Sequence, residues 1–572
     1  MSQSNPILHP RKGIHNLEKY EETYEQFKWD SVHPHFSWFK TDKVNMAYEC
    51  IDRHVEDGYG EKEALVYING TTKESLTFSE LKRRTDEWAH LLKSQGVKKG
   101  DRVFTFLPKN QEGYIAILAV IKVGAIVGPL FEAFMEDAIY DRMYDCEASV
   151  LLTNAELLER VPVDKLPELH SIYITDDLDH PIAQSIPRLL KETSFEGEAV
   201  QWVGLNDGMI IHYTSGSTGK PKGVLHAHRV MIQQFQTGKW VLDLREDDVY
   251  WCTAHPGWVT GSSYGIFAPW LNRTTVVVHG GRFKADEWFQ AIEDTGVTVW
   301  YSAPTAFRLL MNDTDKIKNF NLSSLRHILS VGEPLNPEVI TWGLDAFNIR
   351  IHDTWWMTET GAQLIVNLPT AAIKPGSMGR ALPGITAGII DLEGNEVKRG
   401  EFGLLAIKKG WPSMMKEIWK NEEKYQSYFI NDWYVSGDLA RMDEEGYVFF
   451  QGRNDDMINS SGERIGPFEV ESKLIEHPAV VEAGVIGKPD PLRGEIVKAF
   501  IVLTDAYTES EELLKDIQTF VRFKLAAHAM PREIEVLEEL PKTPISGKIL
   551  RRILKAQEIE KLEQGDRYHV PL

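Results

Sequence analysis

Apolar residues Leu81, Trp88, Leu91 and Leu92 share one face of a 3.6-residue repeat that begins just after Thr77-Phe78-Ser79-Glu80. A threonine followed three places later by a glutamate is the reciprocal capping arrangement that opens helices, and Gly96 stands where one would stop. The β-forming run 102–107, closed by Pro108, predicts a strand. Positions 111–122 return to helical spacing, and past Gly124 the apolar run 125–129 predicts a second strand. Strand, helix and strand in about thirty residues make a βαβ unit, which favours a parallel sheet with helices on its faces. Around Gly400 the texture changes to short strands and turns, at 403–407, 433–435 and 447–450, and predicts a β-rich region. The polar stretch Gly452-Arg453-Asn454-Asp455-Asp456 reads as a junction. Beyond it the chain carries strand and helix patterns sufficient for a small α+β domain.

Composition narrows the class. At 572 residues the chain is too long for one ordinary domain, and 42% hydrophobic with 26% charged residues describes a globular protein with a large core. Cys50, Cys146 and Cys252 are few, odd in number and far apart, so neither a disulfide framework nor a cysteine-based zinc site is expected. The opening residues lack the apolar core of a signal peptide, and no run of about 18 apolar residues occurs. A cytosolic protein without a membrane partner is expected. Lysine and arginine number 63 against 84 aspartate and glutamate, a net charge of −21. Such a balance disfavours nucleic acid as a partner, so any polyanion must be met by local, individually placed cations.

Residues 213–223 read YTSGSTGKPKG and follow the apolar Met209, Ile210 and Ile211. Glycines allow backbone N–H groups to approach a phosphate chain, and the hydroxyls and lysines add donors and charge. The spacing is not that of a P-loop, because Lys220 is followed by Pro221, nor is it a dinucleotide fingerprint. Taken alone, such a stretch is most often a plain surface loop.

Further along stand DTWWMTETG (353–361), YVSGD (434–438), GRNDD (452–456) and Ser546-Gly547-Lys548. Together with the glycine-rich loop they resemble, in order, the signature motifs of the adenylate-forming superfamily, which includes acyl-CoA synthetases, luciferases and peptide-synthetase adenylation domains. The pairing of DTWWMTETG with PGWVTG (256–261) is similar to the acetate-activating branch of that family. The resemblance implies an α/β fold: a large N-terminal region (1–454) of α/β subdomains plus a β-rich subdomain, binding ATP and acetate, and a small, mobile α+β C-terminal domain (455–572). It implies an AMP-forming acid:thiol ligase whose substrates are acetate, ATP and CoA and whose cofactor is Mg²⁺.

By the same resemblance, Lys548 is the catalytic lysine that bridges carboxylate and α-phosphate. ATP and AMP contacts fall on Thr214, Ser215, Gly216, Ser217, Thr218, Gly219 and Lys222 of the loop and on Gly332, Glu333 and Pro334. They continue on Asp353, Thr354, Trp355, Trp356, Met357 and Thr358, and on Asp438, Arg453 and Arg464. Thr358 and Glu359 would address magnesium with hard oxygen donors. The indole of Trp356 would close the acid pocket, with Val259, Thr260 and Val331 lining the rest. Asp455 would be the hinge that brings Ser461 and Gly462 to the acyl-adenylate for thiolation, and Thr260, Ser461 and Arg522 would contact CoA. Lys548 is also an expected target of a lysine acetyltransferase and a deacetylase. The segment before it, Lys542-Thr543-Pro544-Ile545, has one residue more than the family's usual Lys-Thr-Arg and lacks its arginine.

Plainer readings accompany several of these residues. Thr358 and Glu359 also match a helix N-cap with a first-turn acid, Asp438 a turn residue, Trp355 and Trp356 core aromatics, and Arg551, Arg552 and Lys555 an exposed basic strip. The functional rivals are a propionate or medium-chain acid ligase, an ADP-forming phosphoryl-transfer enzyme, and a silent adenylate-binding module.

Overall fold

The computed structural model describes residues 6–563 apart from 11, 196, 216–220, 454–455, 461–462, 491–492 and 543–548. Its first helix of consequence, Phe78–Ser94, starts as its sequence dictates. The Thr77 hydroxyl accepts from Glu80 N at 3.2 Å, and the Glu80 carboxylate accepts from Thr77 N at 2.8 Å. The βαβ unit is present. Strands Arg102–Phe106 and Ile126–Pro129 pair in parallel around the helix Gln111–Lys122, which is capped by the Asn110 side chain.

Among the described residues this unit lies at the centre of an eight-stranded sheet. A nine-stranded sheet holds the parallel run Thr275–His279, Val249–Cys252, Val299–Ser302, His327–Ser330 and Ile351–Trp355. Helices Gln111–Lys122 and Val230–Trp240 are buried on nearly every face. They belong to one apolar core with Val103 and Val127 of the first sheet and Tyr250, Val276 and Tyr301 of the second. A helix buried all round belongs between two layers, and these two fill the space between the sheets. Lys122 is enclosed there as well, its ammonium paired with Asp52 and Asp86. Cys50, Cys146 and Cys252 are buried free thiols.

The β-rich region is a five-stranded antiparallel sheet containing Ala387–Ile390, Phe402–Lys408, Trp433–Met442 and Val448–Arg453. All three predicted strands are longer than the sequence implies. Ser436, Gly437 and Asp438 read as a turn, yet the strand passes through them. Gly437 adopts φ +78°, and irregularities of register on both sides absorb the polar residues. Asp438 is therefore a strand residue, and the polar run from Gly452 starts inside a strand rather than in a linker.

From Ile458 onward a second five-stranded sheet forms, flanked by Pro467–Ile475, Glu511–Lys524 and Arg551–Glu563. It has its own core of Ile458, Val470, Leu474, Val485, Val497 and Ile517. The architecture is thus mixed α/β with a β-rich subdomain and a separately cored α+β lobe at the C-terminal side. Its seam with the larger lobe carries hydrogen bonds from Gln451 to Glu469 (3.0 Å) and from Asn336 to Ser472 (3.1 Å), and an edge contact of Phe450 with Phe468. The expected boundary at 454/455, with the hinge residue Asp455, lies outside the described residues. No helix among those described is long and apolar enough to cross a membrane.

Candidate functional site

Parallel strands of an α/β sheet present their carboxyl ends to ligands, because the loops leaving them converge there. Here Val331-Gly332-Glu333-Pro334 leaves His327–Ser330, and Trp356-Met357-Thr358-Glu359 leaves the neighbouring Ile351–Trp355. Both segments open onto a cavity of about 230 Å³. Its walls include Gly332, Glu333, Pro334, Asp353, Thr354, Trp355, Trp356, Met357, Asp438 and Arg453, so the structure gathers these sequence-predicted residues from four stretches of chain.

Asp353 is buried and accepts from the Thr354 N–H at 2.9 Å and from the backbone of Leu335. Burial pushes its carboxyl up to about 7. The Trp355 indole N–H donates to Asp438 at 2.9 Å, while Arg453, directly opposite on the paired strand, bonds the other Asp438 oxygen at 3.0 Å. Trp355 is buried, and its polar edge fixes a carboxylate at the cavity wall. Glu333 accepts from the Thr305 hydroxyl and from Arg308 at 2.9 Å, and Arg308 also reaches Asn336.

On the acid side Trp356 is partly buried. Its indole N–H donates to the Tyr301 hydroxyl at 3.2 Å, and its ring meets Tyr264 edge-on at 5.0 Å. Val259, Thr260 and Val331 do not line the same cavity. Val259 and Thr260 begin the short helix Val259–Ser262, whose continuation carries Tyr264 to Trp356. Val331 is buried where the chain leaves its strand, with its N–H on Ser302 O.

The glycine-rich motif is a hairpin whose arms are Gly208–Ser215 and Pro221–Ala227. Thr214 lies opposite Lys222, and its buried hydroxyl has no hydrogen-bond partner among the described residues. Gly216, Ser217, Thr218 and Gly219 lie outside the described residues, as does the Ser215 side chain. Lys222 donates to the Tyr428 hydroxyl at 2.6 Å, which in turn donates to Glu359 at 2.8 Å. Burial lowers the Lys222 ammonium below the usual lysine range, with Glu359 opposing that shift.

No helix follows Thr358: residues 358–360 form a turn, so the N-cap reading is set aside. Gly361 closes the turn at φ +72°, where a Cβ would meet Ser413 O at 2.2 Å. His226, held neutral because burial lowers it to about 4, donates to Thr358 O at 2.7 Å. Glu359 is buried and supplies one carboxylate, and among the described residues no group of three or more potential metal ligands exists. That donor set fits a magnesium ion held mainly by phosphate oxygens, not a site built by protein alone.

The smaller lobe covers the same cavity with Phe468, Glu471, Ile475, Glu482, Lys542, Ile549 and Arg551. Arg551 is not part of an exposed strip. It grips Glu471 through two bonds of 2.9 and 2.6 Å and reaches Asp456 at 3.3 Å, and these carboxylates hold its guanidinium firmly charged. Arg552 is exposed, and Lys555 pairs with Glu495 at 2.9 Å. Lys542 pairs with Glu482 and forms an antiparallel bridge with Ile549. The predicted catalytic Lys548 lies between these two residues but outside those described, as do Ser461 and Gly462. Arg464 sits on the strand Glu463–Ile465 opposite Asn459, its side chain outside the description. Arg522 is exposed near the end of Glu511–Lys524 and is not brought to the cavity.

Sequence reasoning missed Tyr301, Tyr264, Gln363 and Tyr428. Each reads as an ordinary buried aromatic or amide. The only local signal was a tyrosine in the centre of a buried strand, where its hydroxyl needs a partner.

A family model described as AMP-binding enzyme matches residues 52–419, and one described as AMP-binding enzyme C-terminal domain matches 469–548. The chain is 57% identical to acetyl-coenzyme A synthetase of Bacillus subtilis (strain 168) over 97% of both chains. It is 39% identical to acetyl-coenzyme A synthetase of Rubrobacter xylanophilus over 96% of this chain and 90% of that one. Among solved structures it is similar to Brucella canis acyl-CoA synthetase (TM-score 0.75, 34% identity, 96% and 100% of the two chains). It is also similar to the anthranilate CoA ligase AuaEII in complex with anthranoyl-AMP (TM-score 0.84, 29% identity, 91% and 98%).

Proposed function

Because the chain belongs to the AMP-binding, adenylate-forming enzymes, we propose that it joins acetate to CoA in two steps at one cavity. A carboxylate oxygen of acetate attacks the α-phosphorus of ATP, the bond to the β-phosphate oxygen breaks, and pyrophosphate leaves. The sulfur of CoA, its proton lost to solvent, then attacks the acyl carbon of acetyl-AMP and expels AMP. The observation that carries this reading is the composition of the cavity wall. Gly332–Pro334, Asp353–Met357, Asp438 and Arg453 face Lys542 and Ile549, the two residues that bracket 543–548.

Each partner then has a role. Asp438 and Arg453 would take the ribose, and the segments 332–334 and 353–357 the adenine. The orphaned Thr214 hydroxyl and Lys222 suit the phosphates. Arg308, Arg453, Lys542 and Arg551, the described cations of the wall, are already matched by carboxylates. Charge for the meeting of two anions must therefore come from another group, and Lys548 is our choice. One ammonium about 4 Å from an anion is worth about 4 kcal/mol at an effective dielectric of 20. Thr358 and Glu359 would hold magnesium with the phosphates, and the ion would offset phosphate charge.

Trp356 would bound the acid, with Val259, Thr260 and Val331 behind it. Strained packing of one extra methylene costs about 1–3 kcal/mol, so propionate is a poorer substrate and longer acids are refused. The regions 1–454 and 455–572, with a hinge at Asp455, belong to the same reading. So do CoA contacts from Thr260, Ser461 and Arg522, Ser461 and Gly462 in the thiolation step, a cytosolic setting, and acetylation and deacetylation of Lys548.

Incubating the protein with Mg-ATP, CoA and a series of short acids tests the core of this. AMP, pyrophosphate and thioester should appear together, fastest with acetate. ADP and orthophosphate in their place would refute it.

A further inference from the structure

Trp356 can measure acid length only if its indole stays in one place. The structure supplies a fixing point behind it. Tyr301 is fully buried on the strand Val299–Ser302, next but one to the strand that delivers Trp356.

The hydrogens around its hydroxyl can be counted. Thr354 Oγ1 spends its single proton on Ser330 O at 2.7 Å, so in the 2.7 Å contact between Thr354 and Tyr301 the tyrosine must be the donor. Its two acceptor positions are then taken by the Trp356 indole N–H at 3.2 Å and the Gln363 side-chain amide at 3.1 Å. The hydroxyl has no capacity left.

A second tyrosine repeats the logic. Thr237 gives its proton to Gln233 O, so Tyr264 donates to Thr237, and it accepts from Gln363 N at 2.8 Å. Its ring stands edge-on to both Trp356 (5.0 Å) and Tyr301 (5.8 Å). The indole is thus held by one hydrogen bond at its polar edge and one ring contact at its apolar face. Both anchors are tied to Gln363, and one of them to Thr354 in the nucleotide wall.

We propose that Tyr301 is a positioning residue for acid selectivity: its hydroxyl sets the orientation of Trp356, and through it the length of acid that fits. This rests on the reading of Trp356 as the end of the acid pocket. A fully committed buried hydroxyl leaves unpaired partners when removed, and those partners then reorient.

The test is a double-mutant cycle read as the ratio of kcat/KM for acetate to kcat/KM for propionate. Tyr301→Phe keeps the ring and should lower that ratio by about tenfold, the equivalent of one lost directional bond, mainly through a higher KM for acetate. In a Trp356→Phe background, which has no indole N–H to hold, adding Tyr301→Phe should change the ratio by less than about twofold. A merely structural role would depress turnover of both acids and thermal stability alike, leaving the ratio unmoved. An unmoved ratio, or additive effects in the cycle, overturns the proposal. Trp356→Gly separates the two levels. If it admits longer acids while Tyr301→Phe changes nothing, only this inference falls; if it admits none, the pocket reading falls first.

Discussion

The two lobes that share the cavity meet it with different chemistry. Beside two ion pairs, Arg453 with Asp438 and Arg308 with Glu333, the larger lobe offers committed hydrogen bonds: Trp355 with Asp438 in the wall, and Tyr301 with Thr354 and Gln363 behind it. The smaller lobe offers ion pairs of long side chains, Arg551 with Glu471 and Lys542 with Glu482, set on a core of its own. Short, branched or aromatic groups locked by packing hold a shape; long charged groups hold a potential and exchange partners readily. The contrast suggests a division of labour, with recognition in the fixed wall and charge delivered from the lobe across the seam.

The sharpest way to break that comparison is Lys548→Ala. Acetate-dependent ATP–pyrophosphate exchange should fall by about a thousandfold, in line with about 4 kcal/mol of lost charge stabilisation. Thioester formation from supplied acetyl-AMP should survive, and loss of both half-reactions would mean that the lobes do not divide the work.

Trp356→Gly probes the other side. Activity on four- to six-carbon acids should appear and acetate should lose about tenfold in kcat/KM, read from thioester yields across the acid series. An unchanged chain-length profile would count against a wall that measures.

Asp353→Asn gives the smallest effect and sharpens the electrostatic half. Burial raises Asp353 from the ordinary 3.8 to about 7, so the folded protein favours its neutral form. The neutral carboxyl costs nothing below pH 3.8. As pH rises toward 7 the native state increasingly resists ionisation, and stability is lost. The asparagine variant escapes that loss, so it should melt a few degrees above the parent at pH 8, with the advantage shrinking as pH falls and gone only below about pH 4. Parallel melting curves across this range would show that Asp353 is not held neutral.

Much of this was legible in the chain. The capping pair at Thr77 and Glu80 and the βαβ unit around 111–122 are local signals, and folding brings them where those signals imply; the motif residues at 332–334, 353–357, 438 and 453 line one cavity. Two kinds of feature were not. The strand through Ser436-Gly437-Asp438 looks like a turn because its bulges are properties of the partner strands, not of the segment. Tyr301 and Tyr428 look like filler because their significance lies in who faces them from 55 and 69 residues away. Arg551 was misread for the same reason: its carboxylate partners at 471 and 456 are distant in sequence.

The seam between the lobes is held by few polar contacts among the described residues. Its hydrogen bonds from Gln451 to Glu469 and from Asn336 to Ser472 are of a kind that water replaces one for one, and beside them the Glu338 and Glu476 carboxyls meet across the joint. Opening such a joint would exchange these protein bonds for hydration and would separate the two carboxyls. An osmolyte excluded from protein surfaces would keep it shut, and a dilute, well-hydrating medium would loosen it. On the proposed reading, the tempo of lobe movement would thus be exposed to the solvent, whereas the choice of acid, set behind the indole of Trp356, would not.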